Sequence, residues 1–326
     1  MIPFWRWLPA QWAHDLAPLG VHLWSDLYPV LSSQWNPLEW KGLKFQNRLG
    51  LAGGVDKNAD LLHAWPRLGF GFIEIGTVTP LPQEPNPGRI MDRDWNQRLL
   101  WNRMGFPSDG MNEVAARIHT SAPIGHPLFI NVGKNRQTPN ERAIEDYQIA
   151  THRLAPLGDA IVVNVSSPNT TGLRDLQDKR MLRSLVEGVV AVSFGKPVLV
   201  KFSPDEEETS LRESLRTASE AGAVGFILTN TTLRRPTPSP FPEIGGVSGE
   251  FLKPFSRKAL QIAVDHFRSG PRPLLVSVGG ILTPNEVKER LDLGADLVQV
   301  YSALVFGGPG FPGQVSEFMQ SQGARS

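Results

Sequence analysis

From Arg48 onward the sequence repeats one pattern eight times: a short β-prone run, a polar cluster at its end, and a segment with helical spacing of apolar residues. The predicted strands are residues 49–52, 70–75, 127–132, 160–165, 197–202, 224–228, 274–278 and 296–301. Several of these runs are continuously apolar, which is typical of parallel strands buried on both faces. Eight alternating units therefore predict an α/β fold, a (β/α)₈ TIM barrel.

An open, doubly wound sheet is the structural alternative to the barrel. Such a sheet often carries a G-x-G-x-x-G fingerprint after its first strand, whereas this chain has Gly53-Gly54-Val55-Asp56-Lys57 at that point. The barrel also gives the polar clusters one location, because the carboxyl ends of its strands meet at the face that carries the active site. The clusters in chain order are GGVDKN, GTVTP, NVGKN, NVSSPN, KFSPD, TNTT, VGG and YSA.

The composition excludes several classes of function. The chain has no cysteine, so disulfides, thiolate metal sites and a cysteine nucleophile are excluded. The formal net charge is +1 with well-mixed signs, which is not typical of a nucleic-acid-binding protein. None of the seven histidines lies in a polar cluster. We therefore expect no metal site and no nucleic-acid partner.

The residue types in the clusters indicate a phosphorylated, planar ligand. Gly279-Gly280 and Tyr301-Ser302 follow the last two predicted strands, where barrels usually bind phosphate. Lys57 and Lys201 follow apolar runs directly, and a lysine there is costly unless it meets an anion. The asparagines of the clusters, which both donate and accept hydrogen bonds, are Asn131, Asn164, Asn169 and Asn230. Each glycine or asparagine alone is equally typical of a turn, and their grouping favours a ligand.

The first 42 residues form a predicted helical extension, and residues 43–326 form the predicted barrel domain. Six of the nine tryptophans fall in the first 40 residues. We expect a short helix after Gly20, and we expect Pro9, Pro18, Pro29 and Pro37 to exclude a long one. Two interpretations remain open for this segment: a cap that packs on the barrel, or a surface that enters a bilayer interface.

Together the motifs resemble the dihydroorotate dehydrogenase family, and specifically its membrane-associated, quinone-reducing class 2. The resemblance runs from about Leu49 to Gly308 and comprises GLAGGVDKNAD, GFGFIEIGTVTPLPQ, NRMGF, NVGKN, NVSSPNTTGLR, TNTT, GGVSGE and VQVYSALVFGGPG, in the family's order. It implies oxidation of dihydroorotate to orotate in pyrimidine biosynthesis, with FMN as the cofactor.

The resemblance also assigns site residues. The implied FMN contacts are Gly53, Gly54, Val55, Asp56, Lys57, Thr77, Asn131, Asn164, Lys201, Thr229, Gly249, Gly280, Tyr301 and Ser302. The implied substrate contacts are Lys57, Asn102, Arg103, Met104, Gly105, Phe106, Asn164, Asn169, Asn230 and Thr231. Ser167 corresponds to the family's catalytic base. From the residues alone, the Ser167 hydroxyl is instead expected to cap the turn before Pro168.

Class 2 membership further implies that the N-terminal extension contacts the membrane and leads a quinone to the flavin, with Arg93 at the quinone entrance. It implies a peripheral membrane protein, on the cytoplasmic face of the cell membrane if the chain is bacterial, and a monomer. Two departures from the family's pattern are Gly53, where alanine is more usual, and Pro107 after NRMGF.

Three other functions remain open from the sequence. The chain could be another FMN-dependent barrel acting on a dihydropyrimidine, a flavin-free phosphate-binding isomerase or lyase, or a binding barrel without catalysis.

Overall fold

The computed structural model describes residues 4–30, 33–170 and 172–323. Its strands are β1 (Leu38–Trp40), β2 (Leu43–Phe45), β3 (Leu49–Asp56), β4 (Phe72–Val78), β5 (Met91–Asp94), β6 (Leu99–Asn102), β7 (Leu128–Val132), β8 (Ala160–Asn164), β9 (Val198–Phe202), β10 (Gly225–Leu228), β11 (Gly246–Gly249), β12 (Leu274–Val278) and β13 (Leu297–Val300).

The α-helices are α1 (Ala10–Leu27), α2 (Ala64–Arg67), α3 (Met111–Ser121), α4 (Ala143–Leu154), α5 (Lys179–Ala191), α6 (Glu208–Glu220), α7 (Lys253–His266), α8 (Pro284–Asp292), α9 (Ser302–Gly307) and α10 (Phe311–Gly323). Short 3₁₀ helices cover Phe4–Trp7, Asn140–Arg142, Ala155–Leu157, Leu173–Gln177 and Glu250–Leu252.

The predicted (β/α)₈ barrel is confirmed. Eight strands close in the order β10-β12-β13-β3-β4-β7-β8-β9, and every neighbouring pair is parallel. Successive side chains point to opposite faces of each strand. Phe72, Phe129 and Leu199 accordingly belong to one buried cluster inside the barrel, whereas Ile73 and Ile130 belong to the larger cluster beneath the helices.

Local sequence signals position the helices around the barrel. Thr283 begins α8 with a capping box, because its side chain accepts from the Glu286 amide while the Glu286 carboxylate accepts from the Thr283 amide. Asp178 caps α5 by accepting from the Arg180 and Met181 amides. These caps satisfy amide groups that have no partner within the first helical turn.

A β-hairpin packs against the interior cluster of the barrel. β1 and β2 pair antiparallel, and Phe45 is 1% exposed between the rings of Phe72 and Phe129 at edge-on geometry. Leu38 and Leu43 of the same hairpin pack against that cluster. The predicted domain boundary after residue 42 falls in the turn between β1 and β2.

The prediction that prolines exclude a long N-terminal helix is wrong. α1 has 18 residues and contains Pro18. Pro18 is exposed, so its ring meets solvent and the carbonyl that loses its partner is not trapped in a core. Pro9 precedes the helix, where a proline costs no hydrogen bond.

The sequence patterns also missed a small antiparallel sheet in the order β11-β6-β5. Arg93 of β5 donates to the carbonyl oxygens of Trp5 (2.6 Å) and Leu8 (2.8 Å), which holds the N-terminal segment against this sheet. A cation–π contact places the Arg93 guanidinium 5.2 Å from the centre of the Trp95 ring.

Candidate active site

An open cavity, with about 960 Å³ of empty space when the solvent at its mouth is included, lies where the carboxyl ends of the barrel strands converge. Lys57, Asn164, Ser167 and Lys201, which come from the ends of three strands (β3, β8 and β9), all line it. The other predicted site residues that line this cavity are Gly53, Gly54, Thr77, Asn102, Met104, Gly105, Phe106, Asn169, Thr229, Asn230, Thr231, Gly280, Tyr301 and Ser302. Motifs separated by more than 200 residues in the chain therefore share one site.

Five predicted site residues do not line the cavity. Asp56 turns into its own loop, where its carboxylate accepts from the Asp60 and Leu61 amides and from the Trp65 indole. Val55 packs against the outer hydrophobic cluster, and Arg103 donates to the Pro87 carbonyl oxygen at an exposed position. The remaining two are Asn131, which hydrogen-bonds beneath Thr77, and Gly249, which follows the lining residue Ser248.

Lys57 is held at the cavity edge beside the N-terminal helix. Its Nζ lies 3.4 Å from His14 Nε2 of α1. Burial lowers the pKa of Lys57 to about 8, against the opposing effect of the carboxylates of Asp56 and Asp60. Burial, and then the charge of Lys57, lower the pKa of His14 to about 4. Near neutral pH this arrangement presents one ammonium group and a neutral imidazole.

The floor of the cavity contains a buried ion pair. Lys201 Nζ lies 3.1 Å from Glu74 Oε1, and both side chains are almost fully buried. Glu74 also accepts from Asn131 Nδ2 (2.6 Å) and from Gln299 Nε2 (2.6 Å). Sequence reasoning missed Glu74 and Gln299, although a charged residue inside the apolar run GFIEIG was a usable signal.

Ser167 both caps its turn and lines the cavity. Its Oγ accepts from the Asn169 amide at 3.2 Å, as expected for a hydroxyl that caps the turn. Asn169 Nδ2 in turn donates to Asn102 Oδ1 at 2.8 Å, and this bond joins the NVSSPN and NRMGF loops. The turn bond uses one lone pair of the Ser167 hydroxyl and leaves its second lone pair available to accept a proton.

The glycine-rich strand ends bring backbone close to one corner of the cavity. Gly279 and Gly280 have φ angles of +112° and +70°, which side-chain-bearing residues rarely adopt. A Cβ added to Gly280 would lie 2.5 Å from the backbone nitrogen of Lys253. Ser248 Oγ and Ser302 Oγ are 3.2 Å apart at the same rim. Two hydroxyls beside closely packed backbone form a seat suited to an anionic group.

In the described part of the chain, no group of three or more His, Asp or Glu side chains is placed to hold a metal ion. Across the same residues, no helix has the length and apolar character needed to cross a bilayer.

The fold and the cavity define a TIM-barrel enzyme with its site at the carboxyl ends of the strands. The sequence model described as dihydroorotate dehydrogenase matches residues 38–322. The chain belongs to the dihydroorotate dehydrogenase family.

Individual relatives are similar over nearly the whole chain. A dihydroorotate dehydrogenase (quinone) of Thermus thermophilus is 44% identical over 319 residues, which covers 94% of this chain and 91% of the relative. A protein of the same name from Sphingopyxis alaskensis is 41% identical, covering 96% of this chain and 89% of the relative. The crystal structure of an Eimeria tenella enzyme in complex with ferulenol superposes with a TM-score of 0.86 at 30% identity, covering 96% and 92% of the two chains.

Proposed function

We propose that this chain oxidises dihydroorotate to orotate in pyrimidine biosynthesis, with FMN as its cofactor and a membrane quinone as its electron acceptor. The observation that carries the proposal is the convergence of Lys57, Asn164, Ser167 and Lys201 on one cavity. The quinone-dependent relatives, which share about two fifths of this sequence, support the same activity.

Features of the cavity fit FMN. The corner formed by Gly279, Gly280 and Ser302 suits a phosphate group. On the floor, Gln299 Oε1 is buried without a hydrogen-bond partner in the described part of the chain, so it is an acceptor that a ring N–H can meet. Lys201 supplies a positive charge on the same floor. Held by these residues, FMN would supply the acceptor for the hydride from C6 of dihydroorotate and the route for the electrons to the quinone.

The residues of this chain bind the substrate and remove the proton from its C5 atom. Lys57 binds the substrate carboxylate as an ammonium group, and Asn102, Asn169 and Asn230 orient the ring through their amide groups. Ser167 Oγ takes the proton from C5 and releases its own hydroxyl hydrogen to water in the open cavity. With one proton lost from C5 and one hydride lost from C6, the two carbons become joined by a double bond. The amide of Asn169 fixes Oγ in position for this transfer.

Helix α1 carries the feature that supports membrane contact. The large apolar side chains along one of its faces, spaced at three or four residues, are exposed by 52–69%: Trp12, Leu16, Leu19, Leu23 and Leu27. We infer that this apolar face lies in the bilayer interface and that the enzyme is a peripheral membrane protein. His14 of α1 contacts Lys57 at the cavity edge, and Arg93 of β5 contacts the N-terminal segment. We infer that the quinone approaches the cavity past these two residues.

Anaerobic mixing with dihydroorotate tests both half-reactions in one experiment. The absorbance of the bound flavin should bleach on mixing and return when a quinone is added, whereas added fumarate should not restore it. A protein that binds flavin but does not bleach with dihydroorotate would overturn the proposed substrate. Return with fumarate alone would overturn the proposed acceptor.

A further inference from the structure

Glu74 is a fully buried carboxylate that has no role in the proposed chemistry above. It lies on β4 and faces the barrel interior, two residues after Phe72. A buried carboxylate lowers the stability of the fold unless it is paired and hydrogen-bonded, so a carboxylate in this position calls for a specific role. The neighbouring interior positions are filled by aromatic and aliphatic side chains.

Each oxygen of Glu74 accepts hydrogen bonds. Oε1 accepts from Lys201 Nζ (3.1 Å) and Asn131 Nδ2 (2.6 Å), and Oε2 accepts from Gln299 Nε2 (2.6 Å). A protonated carboxyl would need an acceptor for its own hydrogen, and the described residues provide none here. The geometry is that of an ionised carboxylate, which can only accept.

Because Glu74 can only accept hydrogen bonds, it fixes the orientation of the amide and hydroxyl groups of Asn131, Thr77 and Asn164. Because Asn131 must turn its Nδ2 to Glu74, its Oδ1 accepts from Thr77 Oγ1 at 2.7 Å. The hydroxyl of Thr77 donates its only hydrogen in that bond, so toward Asn164 Nδ2 it can act only as an acceptor, at 3.0 Å. Asn164 Oδ1 then accepts from Ser166 Oγ at 3.0 Å. Every donor in this chain of bonds points toward Glu74.

The same constraint sets what the cavity presents to a ligand. Because Gln299 Nε2 donates to Glu74, Oε1 is the acceptor of that amide, and it has no hydrogen-bond partner in the described part of the chain. Gln299 and Lys201 both line the cavity, and an acceptor and a cation on one floor match a planar ring whose edge carries both an N–H and a carbonyl oxygen. Reversing the amide of Gln299 would place an N–H there and would reject that edge.

We propose that Glu74 is a positioning residue of this enzyme, which fixes the donor and acceptor pattern of the cavity floor and offsets the charge of Lys201. The inference rests on the proposed function, since it assumes that a flavin occupies this cavity. Glu74 touches neither substrate nor cofactor in this role. It acts through Lys201, Asn131 and Gln299.

Gly53 offers an independent way to disturb the carboxylate. A Cβ added to Gly53 would overlap Glu74 Oε1, the atom that accepts from both Lys201 and Asn131. The φ angle of Gly53 is not in the left-handed region, so alanine is sterically compatible with the backbone. Gly53→Ala therefore displaces the carboxylate and leaves its charge in the protein.

The test compares purified holoenzymes of the wild type, Glu74→Gln, Glu74→Gln/Gln299→Glu and Gly53→Ala. Readouts are the dissociation constant of FMN from its fluorescence and the midpoint potential of the bound flavin. In Glu74→Gln we expect FMN binding to weaken by about tenfold or more, because buried donors lose their acceptor. We also expect the potential to become more positive, because the charge of Lys201 is no longer offset. The double variant restores the net charge of the floor and should return the potential toward that of the wild type.

Glu206→Gln is the matched control, since Glu206 is a half-buried carboxylate that does not line the cavity. It should leave both flavin readouts unchanged.

Wild-type potential and affinity in Glu74→Gln, with only a lower unfolding temperature, would reduce Glu74 to a structural role. If Glu74→Gln does not fold, Gly53→Ala decides through the midpoint potential, because Gly53 lines the cavity and its own side chain can change FMN affinity directly. A shifted potential supports the proposal, and a wild-type potential overturns it. Failure of the wild type to oxidise dihydroorotate would overturn the proposed function instead.

Discussion

Ser167 and Ser203 follow the neighbouring strands β8 and β9, and both cap a turn, but only one of them lines the cavity. Ser167 Oγ accepts from the amide two residues later at 3.2 Å, and Ser203 Oγ does the same at 3.1 Å. Ser167 lines the cavity and Ser203 does not. The turn-capping interpretation therefore fits both serines, whereas the role of base fits Ser167 alone.

This pair defines a sharp mutational test. Ser167→Ala should slow flavin bleaching by dihydroorotate by about 10² to 10⁴-fold, the usual contribution of a positioned general base, while FMN absorbance is retained. Ser203→Ala removes the same kind of turn bond away from the cavity and should leave the bleaching rate close to that of the wild type. Stopped-flow absorbance measures both, and equal rates in the two variants would contradict the role of Ser167.

Lys57 should impose a pH dependence on substrate capture. Its pKa is lowered to about 8, so the ammonium is present below that pH and is lost as the pH rises through it. The substrate carboxylate needs the ammonium, and kcat/KM should therefore fall by about tenfold per pH unit above about pH 8. Lys57→Arg keeps its charge throughout this range, and the decline should be absent from whatever activity it retains. A decline that persists in Lys57→Arg belongs to another group.

Residues in the polar clusters near the strand ends were predictable from the sequence, and single polar residues surrounded by apolar ones, such as Glu74 and Gln299, were not. Lys57, Lys201 and Asn164 follow apolar runs, so their position in the barrel can be inferred from the pattern alone. Glu74 and Gln299 lie within strands, and only the register of the closed barrel shows that they meet. His14 was missed because its contact with Lys57 depends on how α1 docks.

At the scale of elements, α1 was the one clear misprediction. Proline destabilises a helix interior by about 3 kcal/mol in general, and this value led to the expectation of short segments. The exposed position of Pro18 and the packing of the other face of α1 against the barrel outweigh that preference. The strands β5, β6 and β11 were missed because each is short, and β11 also lies far in sequence from its partner β6.

The exposed face of α1 should control membrane binding independently of dihydroorotate oxidation. Replacing Leu16 and Leu23 with aspartate adds charge to side chains that are 54% and 52% exposed, so the fold should be retained. We expect loss of co-sedimentation with phospholipid vesicles and of turnover with long-chain quinones, at an unchanged rate of flavin bleaching.

Ile149→Asp is the control for α1, because Ile149 is a 50% exposed residue on the barrel helix α4. It should leave vesicle binding and quinone turnover intact. If the double α1 variant also keeps both properties, the N-terminal segment is only a cap on the barrel.

At the scale of the whole molecule, the eight-strand barrel was the most predictable feature. Its signal repeats along most of the chain, and each repeat is independent evidence for the same closed sheet. The hairpin of β1 and β2 was not predicted, because its short strands carry no distinctive periodicity and its position depends on the interior it fills.

The hairpin should contribute stability without affecting the cavity. Phe45→Ala removes a buried ring from the cluster with Phe72 and Phe129, and should cost about 3–5 kcal/mol of unfolding free energy. Urea unfolding measures this loss, and FMN affinity should remain that of the wild type. Phe194→Ala, at a position that is 60% exposed, should change neither quantity by much. A marked loss of FMN affinity in Phe45→Ala would show that the two ends of the barrel are coupled.

The packed interior beneath the cavity also determines the order in which small molecules are exchanged. Because aromatic side chains and the hairpin fill the barrel below the floor, a cofactor seated on Lys201 and Gln299 has no exit through the base. On the proposed function it leaves through the open side of the cavity, which Asn102 and Asn169 line and where a hydrogen bond joins their loops. If a pyrimidine held by those loops covers the flavin, the enzyme should lose its cofactor more slowly in the presence of orotate than in its absence.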